Sequence, residues 1–405
     1  MIEISAALEL IDSNVNSLPA EECPCIDTVG RTLAADILAD VDSPPYAKSI
    51  MDGFAVRAEE IAADKRFRII ETIVAGDVPK QEVVPGTCSR IMTGAPLPDG
   101  ADAVVMIEKS HVDSTDDGEF AKFDLETLSA GRHTMPRAES FGTGELIFSA
   151  GHCIRPWDVG LLAEVGASKV PVAAVPTAAV LSTGNELVDC SERPGASQIR
   201  NSNGPMLVSM LNAAGVQTVN LGIGRDDPED LRTKIQVGLQ SDLLLLSGGV
   251  SAGMLDLVPS ILQELGCEQV FHKVRMKPGK PIWFGLRSAN NKPTYVFGLP
   301  GNPVSSLVGF RIFVRAALQK LSGLTAGMSE MFEVRLTEPH ETRGDRPTYW
   351  PGCLVEDKNG TRQVRPLRWL GSSDLRTLGY ADVLIRFPAE STKHDAGQTV
   401  NVIQL

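Results

Sequence analysis

The stretch Leu246-Ser247-Gly248-Gly249-Val250-Ser251-Ala252-Gly253 follows an apolar run with residues that are almost all small. Nothing bulky blocks the backbone N–H groups of such a turn, so they can approach and hold an anion such as phosphate. An ordinary glycine-rich turn between a strand and a helix explains the same residues equally well, because neither the Walker nor the dinucleotide fingerprint is present. Carboxylates fall at neighbouring strand ends: Glu186 within Ser182-Thr183-Gly184-Asn185-Glu186-Leu187, Asp226 after Gly224-Arg225, and Asp256 past the glycine turn. Magnesium is held by one or two carboxylates together with phosphate oxygens, so acids beside a phosphate cradle form a coherent set. Solvated or helix-capping acids are the competing explanation, and the start of a helix at Asp227-Pro228 partly accounts for Asp226. Glu186 and Asp256 are the stronger metal ligands.

Met276-Lys277-Pro278-Gly279-Lys280-Pro281 places two lysines on a stiff, kinked loop. Gly298-Leu299-Pro300-Gly301-Asn302-Pro303-Val304-Ser305 opens a helix whose N-terminal dipole faces outward. Together they would make a compact oxyanion site; separately they read as surface lysines and a proline-capped helix start. Their closeness to the glycine turn in the inferred sheet favours the joint reading. The stretches 49–56, with Met51-Asp52-Gly53-Phe54, and 91–105, with Met92-Thr93-Gly94-Ala95, read physically as turns carrying short polar side chains. Spacing assigns them no chemistry.

These residues need elements to hold them. Past residue 175 strands alternate with helices: a strand over 178–181, a helix over 205–214, a strand over 216–221, a helix capped by Asp227-Pro228-Glu229-Asp230, and the run Leu243-Leu244-Leu245-Leu246. This predicts an α/β domain with a mainly parallel sheet over 173–326 and ligands beyond the carboxyl ends of its strands. Short β-branched runs between Gly, Pro and Asp turns predict a β domain over 45–136, inserted into a discontinuous N-terminal domain of 1–44 and 137–172. Strand-like pieces at 333–336, 382–386 and 400–403 predict a small C-terminal β-barrel domain over 327–405.

Composition narrows the function classes. A length of 405 residues supports several cores. The net charge of -13 argues against a nucleic-acid footprint, so any anion site is local. Seven scattered cysteines form neither a disulfide framework nor a paired Cys-x-x-Cys zinc spacing, which suits a reducing compartment. The acidic start resembles no secretory signal, and no apolar run reaches the ~18 residues a membrane span needs. A cytoplasmic protein without membrane contact is expected.

In their order along the chain, Met-Asp-Gly-Phe-Ala-Val, Met-Thr-Gly-Ala, Ser-Thr-Gly-Asn-Glu-Leu, Ser-Gly-Gly-Val-Ser, Lys-Pro-Gly-Lys-Pro and Leu-Pro-Gly-Asn-Pro-Val-Ser closely resemble the MoeA family of molybdopterin molybdenumtransferases over about residues 49–323. The resemblance implies an elongated, four-domain, cytoplasmic homodimer acting in molybdenum cofactor biosynthesis. Molybdate would be inserted at the dithiolene of adenylylated molybdopterin, AMP released, and magnesium required. Carried over by motif, Asp52 and Thr93 of the partner subunit would complete the site, and Glu186, Asp226 and Asp256 would place magnesium and phosphates, with Glu186 and Asp256 as metal ligands. Ser247, Gly248, Gly249, Ser251, Pro300, Asn302 and Pro303 would bind substrate, while Lys277, Lys280 and Ser305 would receive molybdate. A molybdopterin adenylyltransferase and recipient molybdoenzymes are further implied contacts.

The sequence departs from the family's pattern in two places. Ala138-Glu139-Ser140 stands where the family carries Gly-Glu-Asp, and Arg346 and Ser372, further molybdate contacts by motif, lie in divergent surroundings. Two other readings stay open. A molybdopterin adenylyltransferase would share the α/β domain but not the inserted segment holding Met51-Asp52-Gly53. A non-catalytic pterin-binding carrier or scaffold would keep the fold, and Ser140 is the residue that sustains this reading.

Overall fold

The computed structural model describes residues 1–249, 257–289, 292–324 and 331–405. Ser251 and Asp256 lie outside the described residues. The chain divides into two compact units, one of Met1–Glu22, Gly30–Ala34 and Pro171–Leu405, the other of Cys23–Val29 and Ala35–Val170.

In the first unit a six-stranded sheet runs, edge to edge, Gln217–Gly224, Thr177–Thr183, Leu243–Ser247, Lys292–Leu299, Trp283–Ala289 and Glu268–His272. The first four strands are mutually parallel and the last two pair antiparallel. The run Leu243-Leu244-Leu245-Leu246 is central and fully buried, as expected of a parallel strand covered on both faces. One face carries a core of Leu207, Leu211, Phe284, Phe297 and Phe313, joined by Ile4, Ala7 and Ile11 of the N-terminal helix Ile4–Asn14. The other is covered by Leu231, Ile235, Ile261 and Leu262. Asp227 caps the helix Pro228–Gly238, its carboxylate accepting from the amides of Glu229 and Asp230 at 3.0 and 2.9 Å. The expected helix over 205–214 spans Asn203–Ala213, which brings Asn203 into its first turn.

Strand order decides where a ligand can sit. The earliest strand of this sheet, Thr177–Thr183, has the second, Gln217–Gly224, on one side and the third, Leu243–Ser247, on the other. Connections therefore leave in opposite directions at that point and open a crevice at the carboxyl ends. Register places Ser182 opposite Ser247, and Ser247 opposite Leu299, so three functional loops start at one level.

The same unit contains a closed barrel of Met331–Leu336, Arg362–Pro366, Thr348–Glu356, Val383–Phe387 and Thr399–Gln404, filled by Leu336, Val364, Ile385, Phe387 and Val402. Closure leaves no strand edge exposed.

The second unit is built on a mixed six-stranded sheet ordered Ala103–Met106, Gly53–Val56, Thr87–Ile91, Arg66–Ile73, Gly118–Phe123 and Ser110–Thr115. Phe54, Phe67, Val105 and Phe123 fill its core. Gly53 is obligatory in the Met-Asp-Gly-Phe stretch, because a Cβ there would lie 1.9 Å from the carbonyl oxygen of Val105.

Candidate active site

Two adjoining cavities lie at the carboxyl ends of the parallel strands. The larger, about 740 Å³, is lined by Ser182, Thr183, Glu186, Asn203, Asp226, Ser247, Gly248, Gly249, Asn302 and Pro303, among others. The glycine turn is shaped by contact as well as by conformation. Gly248 and Gly249 have φ of +91° and +64°, and a Cβ on either would come within 3.1 Å of the Thr183 hydroxyl or closer. Asp226 and Asn185 clasp each other, with the Asn185 amide donating to the carboxylate at 3.2 Å and the Asp226 amide to the Asn185 side-chain oxygen at 3.1 Å. Glu186 and Asp226 are both exposed toward solvent at this rim.

The second cavity, about 480 Å³, gathers Lys277, Lys280, Arg343 and Arg346 with Pro300, Ser305, Ser372 and Trp369. Lys277 is placed by the segment entering the barrel: its amide donates to Pro347 O at 2.9 Å and its carbonyl accepts from the Tyr349 amide at 2.7 Å. Arg346 donates to Met276 O at 3.3 Å and pairs with Asp345 at 3.0 Å. Partial burial, reinforced by Arg343 and Arg346, holds the Lys277 ammonium below the usual lysine range. A cluster of cations that repel one another is relieved by an anion. Asn302 lines both cavities, and its side-chain amide donates to the Ser372 hydroxyl at 3.0 Å. The two spaces are thus halves of one site. The helix start at Pro303–Gly309 is partly occupied, since the Val304 amide donates to Ser372 O at 3.1 Å.

All the described residues of the α/β and barrel segments that the sequence offers for substrate binding line these two cavities. Asp52 and Thr93 belong to the second unit, where they bind each other. The Asp52 carboxylate accepts from both the amide and the hydroxyl of Thr93 at 2.7 Å, and those bonds lower its pKa. Two stretches that spacing read as plain turns are thereby joined, and Ser49 fastens them further by accepting from the Gly94 amide at 2.8 Å.

Among the described residues no three His, Cys, Asp or Glu side chains converge as a metal cage. The large cavity does offer the carboxylates of Glu186 and Asp226. That set suits magnesium, which keeps several waters and takes further oxygens from phosphate.

Residues 2–166 match the family model of the MoeA N-terminal region (domain I and II), 179–320 that of a probable molybdopterin binding domain, and 333–405 that of the MoeA C-terminal region (domain IV). A molybdopterin molybdenumtransferase of Staphylococcus aureus is 31% identical over 99% of this chain and 95% of its own length. The chain belongs to the MoeA family. It is a transferase of molybdenum cofactor biosynthesis. A crystal structure of the MoeA protein of molybdopterin biosynthesis from Pyrococcus horikoshii superposes with a TM-score of 0.83 at 31% identity, covering 100% of this chain and 99% of that one. A second from the same organism gives 0.81 at 26% identity, with complete coverage of both. The expected multidomain α/β-plus-β architecture is therefore that of MoeA, down to the closed C-terminal barrel.

Sequence reasoning passed over Asn203, Arg343 and Trp369. Asn203 lies just before the helix expected over 205–214, and Arg343 and Trp369 sit in stretches of no recognisable pattern. Only their convergence in space marks them.

Proposed function

We propose that this chain inserts molybdate into the dithiolene of adenylylated molybdopterin with release of AMP, working as a homodimer in which Asp52 and Thr93 of the partner subunit complete the site. The observation that carries this reading is the pair of cavities joined through Asn302. One is a glycine-floored cleft rimmed by carboxylates, the other a cationic pocket. The first suits a nucleotide-linked pterin and its phosphates; the second suits a tetrahedral oxyanion.

Lys277, Lys280 and Arg346 bind the molybdate oxygens as fixed charges, and Ser305 and Ser372 orient them. Gly248 and Gly249 let the backbone approach the phosphates. The two dithiolene sulfurs are the nucleophiles toward molybdenum, one molybdate oxygen leaves as water with the two thiol protons, and water cleaves the anhydride to the pterin phosphate and AMP, so no protein cysteine is required. Magnesium, held by Glu186 and Asp256 with Asp226 beside it, would neutralise charge on the phosphate oxygens as the anhydride breaks.

The test is AMP release and cofactor formation from adenylylated molybdopterin and molybdate, with and without magnesium. Magnesium-dependent turnover that falls roughly 10²-fold or more in Glu186→Gln and in Lys277→Ala is expected. Tight pterin binding without AMP release under any divalent cation would overturn the transferase mechanism and leave a pterin carrier.

A further inference from the structure

Three buried polar atoms of the large cavity have no hydrogen-bond partner among the described residues: Ser182 Oγ, Thr183 Oγ1 and Asn203 Oδ1. Their residues are only 1%, 5% and 7% exposed, and all three line the same cleft. Unpaired buried polar groups are costly and uncommon, so a cluster of them on residues that line one cavity marks where a ligand completes the bonding.

Asn203 is the informative member, because its orientation is determined. Its Nδ2 donates to the Ser247 hydroxyl at 2.8 Å and to the Gly301 carbonyl at 2.7 Å. A carbonyl oxygen only accepts, so the amide nitrogen must face Gly301, and its two hydrogens are both used. Oδ1 is left as a pure acceptor. A carbonyl oxygen repels phosphate or molybdate and accepts from an N–H or O–H donor. The hydroxyls of Ser182 and Thr183 can donate or accept and so suit a heterocycle edge where donors and acceptors alternate. By contrast, the glycine turn and the cationic pocket offer donors and positive charge. The two surfaces meet at Thr183, whose hydroxyl lies against the glycine turn.

Resting on the reading of the cleft as a pterin-nucleotide site, we propose that Asn203 reads the exocyclic amine of the pterin through Oδ1, with Ser182 and Thr183 bonding the remainder of that edge. Asn203 thereby sets which heterocycle the enzyme accepts. Because the same side chain ties Ser247 to Gly301, it also couples heterocycle recognition to the two loops that hold the anions.

The discriminating probes are pterin, which carries the 2-amino group, and lumazine, which carries a carbonyl oxygen there. Binding is followed by the probes' own fluorescence on the full-length protein, with AMP affinity as the control. Wild type should prefer pterin over lumazine by about tenfold or more, the scale of one buried hydrogen bond. In Asn203→Ala that preference should collapse, with any loss of AMP affinity smaller than the loss of pterin affinity. Ser182→Ala and Thr183→Val delete oxygens that bond nothing, so they should weaken pterin binding severalfold with no drop in thermal midpoint. They carry the test if Asn203→Ala folds poorly.

Equal wild-type affinity for pterin and lumazine would overturn the proposal, as would retention of the preference in Asn203→Ala. A loss of AMP affinity parallel to that of pterin would show that Asn203 acts through the loops alone and would also overturn it. Unchanged pterin affinity in both hydroxyl variants would do the same. Discrimination that holds while AMP release fails would overturn the transferase mechanism and leave this assignment standing.

Discussion

Gly249 and Gly30 separate two reasons for a glycine. Both have positive φ, +64° and +80°, but a Cβ on Gly249 would meet Thr183 Oγ1 and Val258 Cγ2 at 2.8 Å, whereas one on Gly30 meets nothing within 4 Å. Gly30→Ala should cost about 1 kcal/mol of backbone strain. Gly249→Ala should cost about 2–3 kcal/mol and remove nucleotide binding, as denaturant unfolding and AMP titration would show. Ala138 makes the opposite case. It holds φ +59° without being glycine, so Ala138→Gly should stabilise the protein by roughly 0.5–1 kcal/mol. Lys277 brings pH into oxyanion binding. Its folded-state pKa is lowered, so between that value and the ordinary lysine value the unfolded chain binds the extra proton and stability rises with pH. A bound dianion favours the protonated lysine, so molybdate affinity should fall as pH rises through the same window. In Arg343→Gln, which removes one cause of the depression, that fall should begin at higher pH. An unmoved alkaline limb in calorimetric titrations would refute the assignment.

At the scale of elements, a separate two-stranded pair packed on the barrel carries an acid-sensitive device unrelated to the site. His340 and His394 face each other across the antiparallel pair His340–Glu341 and Lys393–His394, and both rings pack on Phe387 at 4.7 and 4.5 Å. Burial pushes both imidazoles below their ordinary pKa, with His394 adding to the effect at His340. The sign follows from proton counting. As pH falls through about 6.5 the unfolded chain takes up protons that the folded barrel refuses, and stability declines. His394→Leu should move the acid-unfolding midpoint to lower pH; a midpoint unchanged or raised in circular dichroism would count against this. The parallel sheet is held differently. Its strength is the doubly covered strand Leu243–Ser247, and Leu245→Ala, at a fully buried position, should cost about 3–4 kcal/mol.

For the whole molecule, the proposal that Asp52 acts from the partner subunit predicts complementation. Asp52→Ala and Glu186→Ala chains, each inactive alone, should regain up to about a quarter of wild-type sites when mixed and allowed to exchange. Half of the random dimers are then mixed, and each mixed dimer has one intact site. No recovery, with exchange verified by labelled chains, would mean that Asp52 serves its own chain or none. The bulk charge of -13 opposes anions in general, which makes the local cation cluster at Lys277, Lys280, Arg343 and Arg346 necessary for an oxyanion to settle.

Short-range physics was legible in the residues. Asp227-Pro228-Glu229-Asp230 specifies a capped helix start wherever it occurs, four successive leucines before small residues specify a buried strand and its exit turn, and alternation of such pieces specifies a parallel sheet with its ligand end. The motif residues were legible too, but only as separate strings. Which strings meet was decided by strand order, register and barrel closure, because each such contact joins residues far apart in the chain. Asn302 meets Ser372 across 70 residues, Arg346 meets Met276 across 70, and Thr93 meets Asp52 across 41. Asn203 shows the limit most plainly. It precedes the helix expected over 205–214, and only the tertiary structure, by spending both amide hydrogens on Ser247 and Gly301, leaves its oxygen an unpartnered acceptor on the lining of a cleft.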